Sequence, residues 1–212
     1  LMIGLITYSP TYVQGVMGYS PTVAGLTLTA MSLGWTLASV AAGRLVVPLG
    51  PALTGRLGGA FALLGGLLYL LLTPARGPWW VALASLVVGF GMGFIMTTTI
   101  VTIQSSVAWQ RRGTATATNM LMRILGNSVG AALLGGVLNL ALGRAARALP
   151  GGGADALARI EASLTPGAGA TVDETLLQLL AGGLHAVYVG VFVIGLLVFL
   201  LSLLLPRGRR LA

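Results

Sequence analysis

The feature that most limits this chain is its succession of apolar runs, each about as long as a bilayer is thick. A helix crossing a hydrocarbon core of about 30 Å needs roughly 20 mainly apolar residues, with about 17 as the lower limit. Five stretches meet that limit: 22–42, 57–73, 79–103, 114–142 and 179–205. A sixth, 1–14, opens on Leu1, and its continuous apolar part ends at Tyr8. Eight helical residues cover only about 12 Å. That stretch therefore reads as the severed end of a span, and the chain as a fragment of a longer protein. Residues 11–21, with Tyr12, Gly18 and Tyr19, read as an interfacial loop. The expected fold is an all-α membrane protein of six helices, the first of them truncated.

Composition removes most alternatives. Hydrophobic residues make up 56% of the chain and charged residues 8%, whereas soluble domains carry about 25% charged residues. A pI near 11.4 would ordinarily suggest nucleic acid. All twelve basic residues are arginines, however, and they punctuate the ends of apolar runs instead of forming a stripe. No nucleic-acid partner is expected. The chain has no Cys, a single His and no Lys. Disulfides, thiolate chemistry, a metal site of the usual ligands and a P-loop motor are therefore not expected, and no cofactor is implied. Leu1 to Tyr8 lacks the charged start of a signal peptide.

The arginines also orient the chain. Alternate connections carry Arg44 and Arg56, then Arg111 and Arg112, then Arg207, Arg209 and Arg210, with no acid among them. The opposite connections carry Arg76, Arg144, Arg147 and Arg159 and all four acids: Asp155, Glu161, Asp173 and Glu174. The positive-inside rule makes the first set cytoplasmic, the C-terminus with it, and 143–178 an extracytoplasmic loop. In that loop Pro150 to Gly153 and Pro166-Gly167 bracket a short surface helix at 154–164. Trp79, Trp80, Trp109, Tyr12 and Tyr19 fall at span ends, where half-polar rings favour the headgroup region. Trp35 lies within a span.

Polar residues inside spans are the candidates for function. Asn119, Arg123 and Asn127 are spaced i, i+4, i+8 and form one stripe on a helix face. Burying Arg near a helix centre costs on the order of 3 kcal/mol. One reading turns the stripe toward a wet cavity, where Arg123 holds an anion or carboxylate but cannot release a proton. A second has the helix project into the cytoplasm and Arg123 snorkel, and a third has the asparagines join helices. Thr98 and Thr102, among the hydroxyls ending the third span, are candidates for the same cavity. Helical Thr can instead bond its own i−4 carbonyl.

Thr29, Ser32, Thr36 and Ser39 make a small-polar stripe best read as close helix packing. Gly89, Gly91 and Gly93 lack the strand and acid of a nucleotide loop. Gly89 with Gly93, and Gly126 with Gly130, read as small-xxx-small packing pairs. His185, near Tyr188, is an interfacial residue or a proton sensor. No Asp or Glu lies inside a span, so a buried coupling carboxylate must lie outside this chain.

Three segments, in this order, resemble the fourteen-helix drug:proton antiporters (EmrB/QacA-type) of the major facilitator superfamily. Tyr12 to Leu26 looks like that family's loop into its tenth helix. Gly113 to Asn119, with Arg123 to Leu133, is similar to its thirteenth helix. Leu184-His185-Ala186-Val187-Tyr188, with the run ending at Pro206-Arg207, resembles its fourteenth. Gly43, Leu45 and Gly50 occupy the cytoplasmic loop where the superfamily has Gly-x-Leu-x-Asp-Arg-x-Gly-Arg-Arg. Val47 and Pro48 replace its Asp and Arg, which removes the charge relay from this copy. The resemblance implies the C-terminal six-helix half of a plasma-membrane exporter with a missing N-terminal half, and not an enzyme. It implies a small hydrophobic or cationic substrate, protons as coupling ion, and rocker-switch alternating access in the lipid bilayer. A carrier of amino acids, lipids or natural products would share the fold, and a non-transporting scaffold is the alternative of another class. The Arg-only, Ala/Gly/Leu-rich usage suggests a prokaryote.

Overall fold

The computed structural model describes residues 1–147 and 174–205. Most of the expected extracytoplasmic loop, its short helix and Arg207, Arg209 and Arg210 lie outside the described residues. Within them all regular structure is helical. Helix α1 (Met2–Thr11) continues through a π-helical turn at Tyr12–Val16. It is followed by α2 (Pro21–Leu70), α3 (Gly77–Ser106), α4 (Arg112–Arg147) and α5 (Glu174–Leu203). The expected loop at 11–21 is thus helical as far as Val16 and reverses only around Gly18, whose φ of 72° suits a residue without Cβ.

Helix α2 is a hairpin of two spans. Its direction breaks at Gly50, at φ 79° and ψ 159°, flanked by Pro48 and Pro51. Neighbours on α3 give the limbs their sense. In the first limb (residues 21–49) the backbone of Met31 meets Gly89, and Trp35 and Ser39 meet Gly93, so numbers rise together. In the second limb (residues 51–70) Gly55 faces Thr98, Gly58 faces Ile95, Ala62 faces Gly91 and Gly65 faces Val88, in reverse order. The limbs are antiparallel, and both lie against α3. The loop expected around Gly43, Leu45 and Gly50 is therefore helix up to a single reversing residue. Gly43 is exposed, and Leu45 packs on Ala38, Ala42 and Phe94.

Close approach between backbones holds this block together. A Cβ on Gly91 would stand 2.6 Å from the Ala62 nitrogen, and one on Gly93 2.6 Å from the Trp35 oxygen. In lipid, where apolar surface gains little by leaving the solvent, such dispersion contact is a main source of helix association. Gly89 and Gly93 act as a packing pair, but Gly126 and Gly130 do not. Gly126 faces open space, and the nearest atom to a Cβ on Gly130 is the Ile3 Cγ2 at 3.9 Å. Helix α5 runs antiparallel to the second limb, with Gly59 against Ser202 and Gly66 against Phe192. Arg56 fastens its end, the Nη2 donating to the carbonyls of Leu203 (3.1 Å) and Leu205 (3.3 Å). The first is a last-turn oxygen that the helix itself leaves without a partner, and the second lies just past the helix end.

The core gathers where α1, α2, α3 and α5 converge. The Tyr69 hydroxyl lies 2.6 Å from the Ser85 Oγ and 3.2 Å from the Ser9 Oγ, all three groups buried. Tyr188 packs on Tyr69 and meets Tyr12 edge-on, with ring centroids 5.2 and 5.6 Å apart. Tyr12 is thus a core residue, only 3% exposed, and not the interfacial ring its position suggested. Among the described residues, four helices are long and apolar enough to cross a membrane: α2, α3 with its preceding turn, α4 with its preceding turn, and α5. Leucines such as Leu26, Leu33, Leu197 and Leu201 line their exposed faces.

Candidate functional site

Helix α4 is the most exposed of the long helices, and its one sheltered face carries the polar stripe. Asn119, Arg123 and Asn127 are half-buried, whereas Leu121, Met122, Ile124 and Leu125 between them are exposed. The same face continues to Leu134, which is buried against α1 and α5. Arg123 therefore turns toward the bundle while its apolar neighbours turn away. It stands eleven residues into α4, roughly 16 Å from the helix start at 1.5 Å per residue. Its partner gives a second ruler. The Arg123 Nη1 donates to the Met96 Sδ at 3.6 Å, and Met96 precedes the end of α3 by about 15 Å of helix.

A thioether is a weak acceptor, so most of the guanidinium's five donors remain open to water or a solute. Of the four acids, only Glu174 lies among the described residues, at the start of α5. No described carboxylate sits inside a span beside Arg123.

The hydroxyls expected to join the stripe separate. Thr102 is half-buried and donates to the Thr98 carbonyl at 2.7 Å. Thr98 is 5% exposed and faces Gly55 of the second α2 limb, with no hydrogen-bond partner for its Oγ1 among the described residues. It lies in a packing seam and lines no open surface, because the α3 face that carries it is the one closed by the second limb.

The stripe on the first α2 limb also departs from expectation. Thr29, Ser32 and Thr36 are exposed, and each donates back along its own helix, to the carbonyls of Gly25, Leu28 and Ser32. These three stand on an exposed face, whereas Ser39 is half-buried with its backbone nitrogen close to Gly93 of α3, so close packing holds at that residue alone. Thr29 instead lines an apolar pocket of about 530 Å³ with Tyr19, Leu26 and Trp79. His185 is exposed and lines a groove of about 490 Å³ with Tyr12, Thr73 and Arg76.

Sequence reasoning missed the Tyr69–Ser85–Ser9 cluster and the Met96 contact. Lone polar residues within apolar runs were the available signal for the cluster. Nothing in the order of residues identifies Met96 as the neighbour of Arg123.

Residues 1–131 match the family model described as Major Facilitator Superfamily. The chain belongs to the major facilitator superfamily. Among relatives, it is 30% identical over 142 residues to the multidrug transporter protein MdtP of Bacillus subtilis, covering 65% of this chain and 26% of that protein. It is 31% identical over 147 residues to the tetracycline resistance determinant of Streptomyces rimosus, covering 68% and 42%. It is 30% identical over 135 residues to the multidrug resistance protein Stp of Mycobacterium tuberculosis, covering 64% and 25%. The chain thus spans between a quarter and a half of the length of these relatives. No solved structure matches it. Superfamily membership and the apolar helices make it a multi-pass membrane protein of a transporter family, and not an enzyme.

Proposed function

We propose that this chain is the C-terminal half of an EmrB/QacA-type, proton-coupled exporter of hydrophobic or cationic small molecules, working by alternating access. Arg123, Asn119, Asn127 and Thr102 line its central cavity, near mid-membrane between two halves. The substrate class follows the relatives, whose names concern multidrug transport and resistance and tetracycline resistance. The short coverage of those relatives and the order of the resembling segments support the assignment to one half. The membrane is the plasma membrane, with the C-terminus cytoplasmic by arginine asymmetry. The coupling acid belongs to the missing half, because no acid lies inside a span of this chain.

Arg123 carries the reading. A guanidinium more than 10 Å along a spanning helix, turned inward with only a sulfur partner, is expensive to hold there unless it meets water or a solute. Replacing it tests the proposal in cells expressing the whole protein and loaded with ethidium. Arg123→Ala should slow efflux about tenfold, the factor that 1.4 kcal/mol carries, at unchanged membrane abundance. A protonophore should abolish efflux by the unaltered protein. Wild-type efflux by the variant would leave the chain a scaffold.

A further inference from the structure

A second cationic site lies at the turn that joins α3 to α4, eleven residues before Arg123. The chain leaves α3 at Ser106 and enters α4 at Arg112 through a tight turn at Trp109–Arg111. Gln104, Trp109, Arg112, Thr116, Ala117 and Met120 line a shallow, open pocket of about 530 Å³ there. We propose that this pocket seats the phosphodiester headgroup of an anionic phospholipid, with an acyl chain running down the apolar side of α4.

The rim supplies the recognition chemistry. The Arg112 guanidinium lies 5.2 Å from the Trp109 ring, and its buried Nε has no acceptor among the described residues. Gln104 and Thr116 add neutral donors to the same rim. The ring leaves the rest of the fork free for a phosphate, which arginine binds through paired donors. Arg111 is exposed beside it. The only described acid, Glu174, starts α5 at the opposite end of the bundle, since α4 and α5 are antiparallel.

The walls favour a lipid over free phosphate. Ala117 and exposed Met120 continue the pocket down α4 toward Leu121 and Ile124, also exposed. A small soluble anion has no use for that surface. A pocket at the ends of two spanning helices, beside a Trp that is 77% exposed, sits at headgroup depth. Nothing in this depends on what the protein carries; it requires only the membrane.

The test is native mass spectrometry of the whole protein in detergent, titrated with phosphatidylglycerol or phosphatidylcholine. Phosphatidylglycerol should form a one-to-one adduct that phosphatidylcholine does not match. Arg112→Gln should weaken it about tenfold, as expected for one charge-assisted contact. Gln104→Leu should weaken it less, and Arg112→Lys should fall between Arg112→Gln and the unaltered protein, because lysine keeps the charge without the paired donors. Arg44→Gln removes an exposed cation outside the pocket and should leave the adduct unchanged. Gel filtration checks that each variant is folded, and Gln104→Leu serves if Arg112→Gln is not. Equal losses from Arg44→Gln and Arg112→Gln would reduce the effect to general surface charge. Displacement of the lipid by excess inorganic phosphate, or no preference between the two lipids, would equally overturn the proposal.

Discussion

Tyr69 shows how a single hydroxyl can tie several helices. It bridges Ser85 of α3 and Ser9 of α1 from the second limb of α2, in a place where no water competes. Tyr69→Phe keeps the ring packing on Tyr188 but leaves two buried serines without this partner. Such groups cost about 1–3 kcal/mol when stranded. Thermal unfolding in detergent, followed by tryptophan fluorescence, should show a clearly lower midpoint for this variant and none for Tyr19→Phe, whose ring is 44% exposed. Arg123 was legible in the sequence because a charge inside an apolar run stands out whatever its neighbours are. Thr98 was not, because spacing along one helix cannot say which face a partner helix will close. Tyr12 misled for the same reason: its place at the end of an apolar run suggested an interface, while convergence of four helices buried it.

At the scale of elements, close approach separates glycines that look alike in sequence. Gly91→Leu would drive a side chain into the backbone at Ala62, where even a Cβ stands 2.6 Å from the nitrogen. The expected outcome is loss of the monodisperse peak on gel filtration. Gly126→Ala meets open space and should hold or raise the unfolding midpoint, since Ala is favoured over Gly in a helix by about 1 kcal/mol. A normal elution profile for Gly91→Leu would refute the packing of α3 against the second α2 limb. The helices themselves were legible from run length and hydropathy. The reversal at Gly50 was legible only as a region, because Pro48 and Pro51 mark a break without saying that one residue suffices. The Gly126 pair was misread because a spacing motif states what backbones could do, not whether a partner is there.

For the whole molecule, orientation is the property most open to test. The chain has no cysteine, so single cysteines in it report without background from it. Thr73→Cys and Ser106→Cys place thiols at exposed positions on opposite ends of α3. An impermeant maleimide added to intact cells should label the first and reach the second only after permeabilisation. The reverse pattern would invert the topology read from the arginines. The exposed face of the first α2 limb has a chemical consequence that holds in either orientation. Thr29, Ser32 and Thr36 have each committed their only hydrogen to a carbonyl one turn back. What they offer outward is lone pairs, one turn after another, a ladder that can receive an ammonium or amide hydrogen but has none to give to an oxyanion.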